Sequence, residues 1–165
     1  MLMPKQKTPE TLSADVQALT ELTLTVFRLN GVLLQWGDRL VEPLGLNSAR
    51  WQMLGAIALA NKPISAPQVG NVMGVTRQGA RKQLNLLLEQ GLVVSRANPA
   101  HRRSPIYELT PLGRELYLQA ETLWATQVTD LAARIPPARA RTASTTLEAM
   151  LRHLDPTQPI IKELP

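Results

Sequence analysis

Residues 65–113 read SAPQVGNVMGVTRQGARKQLNLLLEQGLVVSRANPAHRRSPIYELTPLG, and the fold follows from this stretch. Ser65 stands three residues before Gln68, the spacing of a capping box, with Pro67 in the first turn of the helix so started. Val69 and Val72 give that helix an apolar side, and Met73-Gly74-Val75 is a turn of helix-turn-helix length. Thr76 caps a second helix, which runs to about Gln90 and stops where Gly91 supplies the left-handed residue after the last turn. Ala80, Leu84, Leu87 and Leu88 recur at helical spacing and point inward. At about 100° per residue, Arg77, Gln78, Arg81, Lys82 and Asn85 fall within an arc of roughly 140°. After Gly91 the period becomes that of strands. Residues 92–96 and 105–109 are short β-type runs joined by a loop of turn formers, a wing with Arg102 and Arg103 at its tip. Thr110-Pro111 then caps the next helix.

The charge sits on the same stretch. Between Thr76 and Arg103 the bases are Arg77, Arg81, Lys82, Arg96, Arg102 and Arg103 and the one acid is Glu89; the rest of the chain holds twelve bases and twelve acids, so the whole-chain excess of +5 is confined here. Clustered cations are what phosphate neutralisation needs, and arginine is the side chain suited to fork-like contacts with phosphate and guanine. Gln78, Arg81 and Lys82, with Arg77, are therefore expected at base edges or adjacent phosphates. Ser65, Gln68 and Thr76 are expected to hold the DNA backbone directly or through helix N-termini. Arg102 and Arg103 are expected in the minor groove or on its phosphates, and Arg96 either joins them or braces the wing. The competing readings are a solvated basic helix face, a protein-interaction winged helix, and an RNA-binding module. The second would need a neutral or apolar outer face on the second helix; the third stays open, and because duplex RNA has a major groove too narrow for side chains, comparing duplex DNA with RNA of the same sequence separates the two.

Outward from this centre, residues 1–10 carry two prolines and are expected to be flexible. A long helical pattern from Leu12 to Glu42 has Val16, Leu19, Val26, Leu33 and Leu40 on one stripe and Leu22, Leu24, Phe27, Leu29 and Leu34 off it. A helix apolar beyond one stripe needs more than one partner, here its own lobe and a second subunit. Asn47 or Ser48 starts the next helix, with Trp51, Leu54, Ile57 and Ala58 as its buried face, and Ile64 is a short third strand. Beyond Pro111, Leu112, Leu116, Ala120, Leu123, Val128, Leu131 and Ile135 mark a second long helix closed by Pro136-Pro137, and a last helix spans about 138–153. The expected architecture is mainly α with a small β wing. A winged helix-turn-helix DNA-binding domain occupies 47–110, residues 11–46 and 111–153 form a helical dimerisation region, and 154–165 is an extended tail.

Other chemistry is sparse. The absence of cysteine excludes disulfides, thiolate zinc sites and thiol redox sensing. His101 and His153 have no carboxylate cluster or HxxxH spacing beside them, and there is no glycine-rich phosphate loop, so neither metal nor cofactor nor enzymatic activity is expected. No apolar run is long enough to span a bilayer, and the expected location is cytoplasmic.

The run from Leu87 through Gly91-Leu92-Val93, Arg96, Arg102-Arg103-Ser104 and Leu109-Thr110-x-x-Gly113 resembles the wing signature of the MarR family, the multiple-antibiotic-resistance type of winged helix-turn-helix transcription factor. The resemblance in helix order covers about residues 12–153. It implies a transcriptional regulator, most often a repressor, that binds pseudo-palindromic promoter DNA as a homodimer through intertwined terminal helices. It also implies release by a small aromatic or phenolic ligand, for which Asn30, Trp36, Arg39, Arg50 and Trp51 have suitable chemistry; Trp36 and Trp51 also read as core, and the two arginines as surface ion-pair partners. One position departs from the pattern: His101 stands where the family usually has an aspartate beside the wing arginines. Protonated in mild acid, it would add a cation to the wing.

Overall fold

The computed structural model describes residues 13–155; the expectations of a flexible segment at 1–10 and, apart from its first two residues, of an extended tail at 154–165 lie outside the described residues. In chain order the elements are helix α1 (Ala14–Val41), a 3-10 turn (Glu42–Leu44), α2 (Ser48–Ala60), strand β1 (Ile64–Ser65), α3 (Ala66–Met73), α4 (Arg77–Glu89), β2 (Val93–Arg96), β3 (Ile106–Leu109), α5 (Pro111–Arg134) and α6 (Pro137–Leu154). The fold is mainly α with a three-stranded antiparallel wing sheet. The chain divides into two compact units, residues 1–36 and 37–165.

In the first unit, the body of α1 starts at Ser13, whose carbonyl accepts the Gln17 N–H at 2.9 Å. Apolar side chains on the expected stripe and off it are alike exposed: Val16, Leu19 and Leu33 as well as Leu24, Leu29 and Phe27, the last at 69%.

The second unit is built around α2. The sequence pattern predicts one buried face, yet Met53, Leu54, Ala56, Ile57 and Ala60 are all buried while Trp51 and Ala58 are half-buried. The reason is that α3, α4, α5 and β3 pack on this helix from several directions. Its small residues permit the approach, and a Cβ on Gly55 would lie 3.6 Å from the Tyr117 ring of α5. The start of α2 is fixed twice: Asn47 accepts the Arg50 N–H at 2.9 Å, and the Asp38 carboxylate accepts the Ser48 N–H at 2.7 Å.

Strand order is β1-β3-β2, with Ile64 opposite Tyr107, and Val93 opposite Leu109 through to Arg96 opposite Ile106. Strand β2 begins one residue later than the β pattern, because the Leu92 N–H closes the end of α4, donating to the Leu87 carbonyl at 2.9 Å, while the Leu92 carbonyl accepts the Thr110 N–H at 3.1 Å. Thr110 closes this joint: its hydroxyl donates to the Gly91 carbonyl at 2.8 Å and accepts the Gly113 N–H at 2.9 Å. Gly113 comes so near the Leu92 backbone that any Cβ would collide with the carbonyl. On α5 Ala120 is buried and Leu116 and Leu123 are half-buried, but Leu112, Val128 and Leu131 are exposed, as is Ile135 just after the helix, and no residue of α6 is buried. Trp51 and Trp124 meet with ring centres 6.0 Å apart, tilted by 59°.

Candidate nucleic-acid interface

The helix-turn-helix is set by a glycine that the apolar pattern did not single out. At Gly70 a Cβ would sit 2.8 Å from the Val75 carbonyl oxygen, and the Gly70 carbonyl accepts the Val75 N–H at 2.9 Å, so α3 and the start of α4 meet backbone to backbone. The turn itself takes a left-handed residue at Gly74 (φ 64°). Thr76 then accepts the Gly79 N–H at 3.0 Å, starting α4 at Arg77. Ala80, Leu84 and Leu87 of α4 are wholly buried. Fixing that face inward leaves Arg77, Gln78, Arg81, Lys82 and Asn85 exposed on the opposite one.

The wing comes to stand beside these side chains. An open groove of about 990 Å³ has Pro67 and Gln68 of α3 and Arg77 of α4 on one wall and Asn98, His101, Arg102 and Arg103 of the wing on the other. A second recess of about 540 Å³ runs between Arg77, Gln78 and Arg81 on one side and Arg103, Ser104 and Tyr107 on the other. Among the described residues neither groove is lined by an acid. Cations that lie up to 26 positions apart in sequence thus face a common space, where their fields add.

The remaining predicted residues divide by what already engages them. Ser65 is only 7% exposed, and its backbone N–H and hydroxyl both donate to the Gln68 side-chain oxygen at 2.8 Å. Its contribution is therefore the N-terminus of α3, while Gln68, itself exposed, keeps its amide N–H groups to donate outward. Arg96 forms an ion pair with Glu108 at 3.0 Å across the sheet and so braces the wing. Arg102 and Arg103 lie exposed in the turn that Asn98 ties together. The Asn98 side chain donates to the Ser104 carbonyl at 2.9 Å and accepts the Ala100 N–H at 3.0 Å, and its own carbonyl accepts the His101 N–H at 3.2 Å. The Asn98-Pro99 pair is a turn signal, but nothing in the local sequence reveals that the amide spans the loop to Ser104. Wing closure thus comes from Asn98, and His101 takes part through its backbone while its side chain is exposed.

The residues with ligand chemistry are less concentrated. Asn30, exposed, and Trp36, half-buried, belong to the unit 1–36; Arg39, exposed, belongs to the other. Arg50 is half-buried at the start of α2 with its Nε 3.4 Å from Asn47 Oδ1, and Trp51 packs on Trp124. On α5, Tyr117, whose ring faces Gly55, has its phenol pKa raised, first by burial, then by the Glu121 charge and by its hydrogen bond to that carboxylate. Among the described residues there is no group of three His, Cys, Asp or Glu placed to hold a metal, and no helix long and apolar enough to cross a membrane.

Comparison with known proteins points the same way. A sequence profile described as the MarR family matches residues 44–104. Uncharacterised proteins of Mycobacterium tuberculosis and Mycobacterium bovis are each 35% identical over 142 residues, covering 86% of this chain and 97% of theirs. Among solved structures, the transcriptional regulator BldR of Sulfolobus solfataricus superposes with a TM-score of 0.72 at 20% identity, covering 86% of this chain and 99% of that one. The M. tuberculosis transcriptional regulator MosR, in a complex with DNA, gives 0.66 at 25% identity, with 81% and 97% covered.

Proposed function

The chain belongs to the MarR family, and from that premise we propose that it is a cytoplasmic transcriptional regulator that binds duplex DNA as a homodimer and represses the promoter it covers. The observation that carries this reading is the pair of cation-lined grooves shared by α4 and the wing. In this reading α4 enters the major groove with Arg77, Gln78, Arg81 and Lys82 toward bases and adjacent phosphates. Gln68, Thr76 and the N-terminus of α3 hold the backbone, and Arg102 and Arg103 reach the flanking minor groove. That the MosR comparison structure is a complex with DNA supports DNA as the partner.

Residues 47–110 act as the DNA-binding domain, with 11–46 and 111–153 as the dimerisation region. Support comes from the exposed apolar side chains on α1, α5 and α6, including Phe27, Val32, Leu118, Leu131 and Leu154, which are too many for a monomer to leave in water without cost. A two-fold dimer places its recognition helices about 34–36 Å apart, one turn of DNA, and so selects a pseudo-palindromic site. An aromatic or phenolic ligand that favours another spacing would release the DNA.

The test is fluorescence anisotropy of the full chain on duplex fragments from its own upstream region, on a scrambled duplex, and on duplex RNA of the same sequence, across a salt series. Tight, sequence-dependent binding to DNA with a steep salt slope is the expected result. Equal weak binding to both DNA duplexes, or preference for RNA, would overturn the reading. A phenolic effector must also bind less tightly when operator DNA is bound, because linkage is reciprocal.

A further inference from the structure

Along the outward face of α4, Gln78, Arg81 and Asn85 stand at intervals of three and four residues and line one recess of about 580 Å³ together with Lys82. All three are exposed, and among the described residues none has a side-chain hydrogen bond or ion pair. This sets the two carboxamides apart from those of Gln68 and Asn98, which are held by the α3 cap and the wing loop. Seven residues separate Gln78 from Asn85, so at about 100° per residue they lie within roughly 20° of one line along the helix, with Arg81 between them. At a rise of about 1.5 Å per residue that line is roughly 10 Å long, the length of about three base-pair steps.

We propose that Asn85 is a specificity-determining residue, and that Gln78, Arg81 and Asn85 together read a half-site whose two outer positions are A·T pairs and whose inner position is a G·C pair. The inference rests on the DNA-binding reading above and names the sequence class that the interface takes. The chemistry behind it is that of the side chains. A carboxamide offers one donor and one acceptor and matches the N6 and N7 edge of adenine, whereas a guanidinium offers two donors and matches O6 and N7 of guanine. Lys82, at the edge of the arc and without a planar fork, goes to phosphate.

The experiment is selection of bound duplexes from a randomised library with the full-length wild-type chain and with Asn85→Ala and Asn85→Asp. Each replacement is on the exposed face, and circular dichroism of each variant checks that the helices persist. The wild type is expected to enrich half-sites with the A·T, G·C, A·T pattern. Asn85→Ala is expected to lose roughly 5- to 150-fold of discrimination at one outer position while keeping the G·C preference. Asn85→Asp, which can only accept, is expected to move that position from adenine toward cytosine. Enrichment of an unchanged motif by both variants would overturn the role of Asn85, and a wild-type motif lacking the pattern would overturn the base assignment. No enriched motif with the wild type would instead sink the DNA-regulator reading on which both depend.

Discussion

Arg96 and Arg103 look equivalent in the sequence, since both are arginines of the basic wing, and the structure separates them. Arg96 is engaged by Glu108, while Arg103 lines the grooves shared with Arg77. Arg103→Ala is therefore expected to weaken binding to all DNA sequences alike and to lower the salt slope by about one, whereas Arg96→Ala changes the slope far less; anisotropy over a salt series measures both. Asn98 carries a second residue-level expectation. Its amide makes two of the hydrogen bonds that shape the wing tip, each worth about 0.5–1.5 kcal/mol. Asn98→Ala should weaken DNA binding several-fold at every sequence while leaving the thermal midpoint nearly unchanged, because the loop lies outside the core. A midpoint shift with unaltered affinity would mean that the amide serves the fold and not the interface.

Elements in this protein are joined at points where a side chain has been removed. The residue before strand β2, Leu92, meets helix α5 at Gly113, and the obstacle to a Cβ there is backbone, which cannot swing aside. Gly113→Ala is expected to destabilise the protein by about 1–3 kcal/mol, read as a lower midpoint in urea, with the loss spread over both wing and helix. Helices α2 and α5 offer a pH-dependent case. The Tyr117 phenol has its pKa raised above 10.0 in the fold, chiefly by burial, so the folded state favours the neutral form. Below pH 10 both folded and unfolded chains keep the proton and the contribution is fully present. As pH climbs past 10 the unfolded chain ionises first, and stability drains away until the folded phenol titrates too. Between about pH 8 and about pH 11 the denaturation midpoint should fall further for the wild type than for Tyr117→Phe.

For the molecule as a whole, the apolar surface on α1 is the feature that one chain leaves unexplained. Phe27 is 69% exposed and Val32 60%. If a second copy covers this surface, Phe27→Glu should shift the sedimentation coefficient toward that of a monomer and remove the concentration dependence of the thermal midpoint. An unchanged coefficient would exclude residues around Phe27 from the interface. DNA affinity should fall with the dimer, since each protomer alone reads half of a site.

How much was legible beforehand varies with the range of the interactions. The helix-turn-helix, the wing, the caps at Thr76 and Thr110 and the inward row Ala80, Leu84 and Leu87 could all be read from residues close in sequence, because capping, turn chemistry and helical periodicity act over a few positions. The concentration of positive charge on one stretch was likewise plain in the composition. What required the folded chain was everything made by distant segments. Burial of α2 beyond a single face depends on four packed neighbours, and Gly70 and Gly113 matter because another backbone passes over them. The common grooves depend on the sheet bringing Arg103 beside Arg77, and the separate fates of Arg96 and Arg103 depend on strand register. Local order is written in short spacings; proximity between segments is set by packing, and no spacing along the chain encodes it.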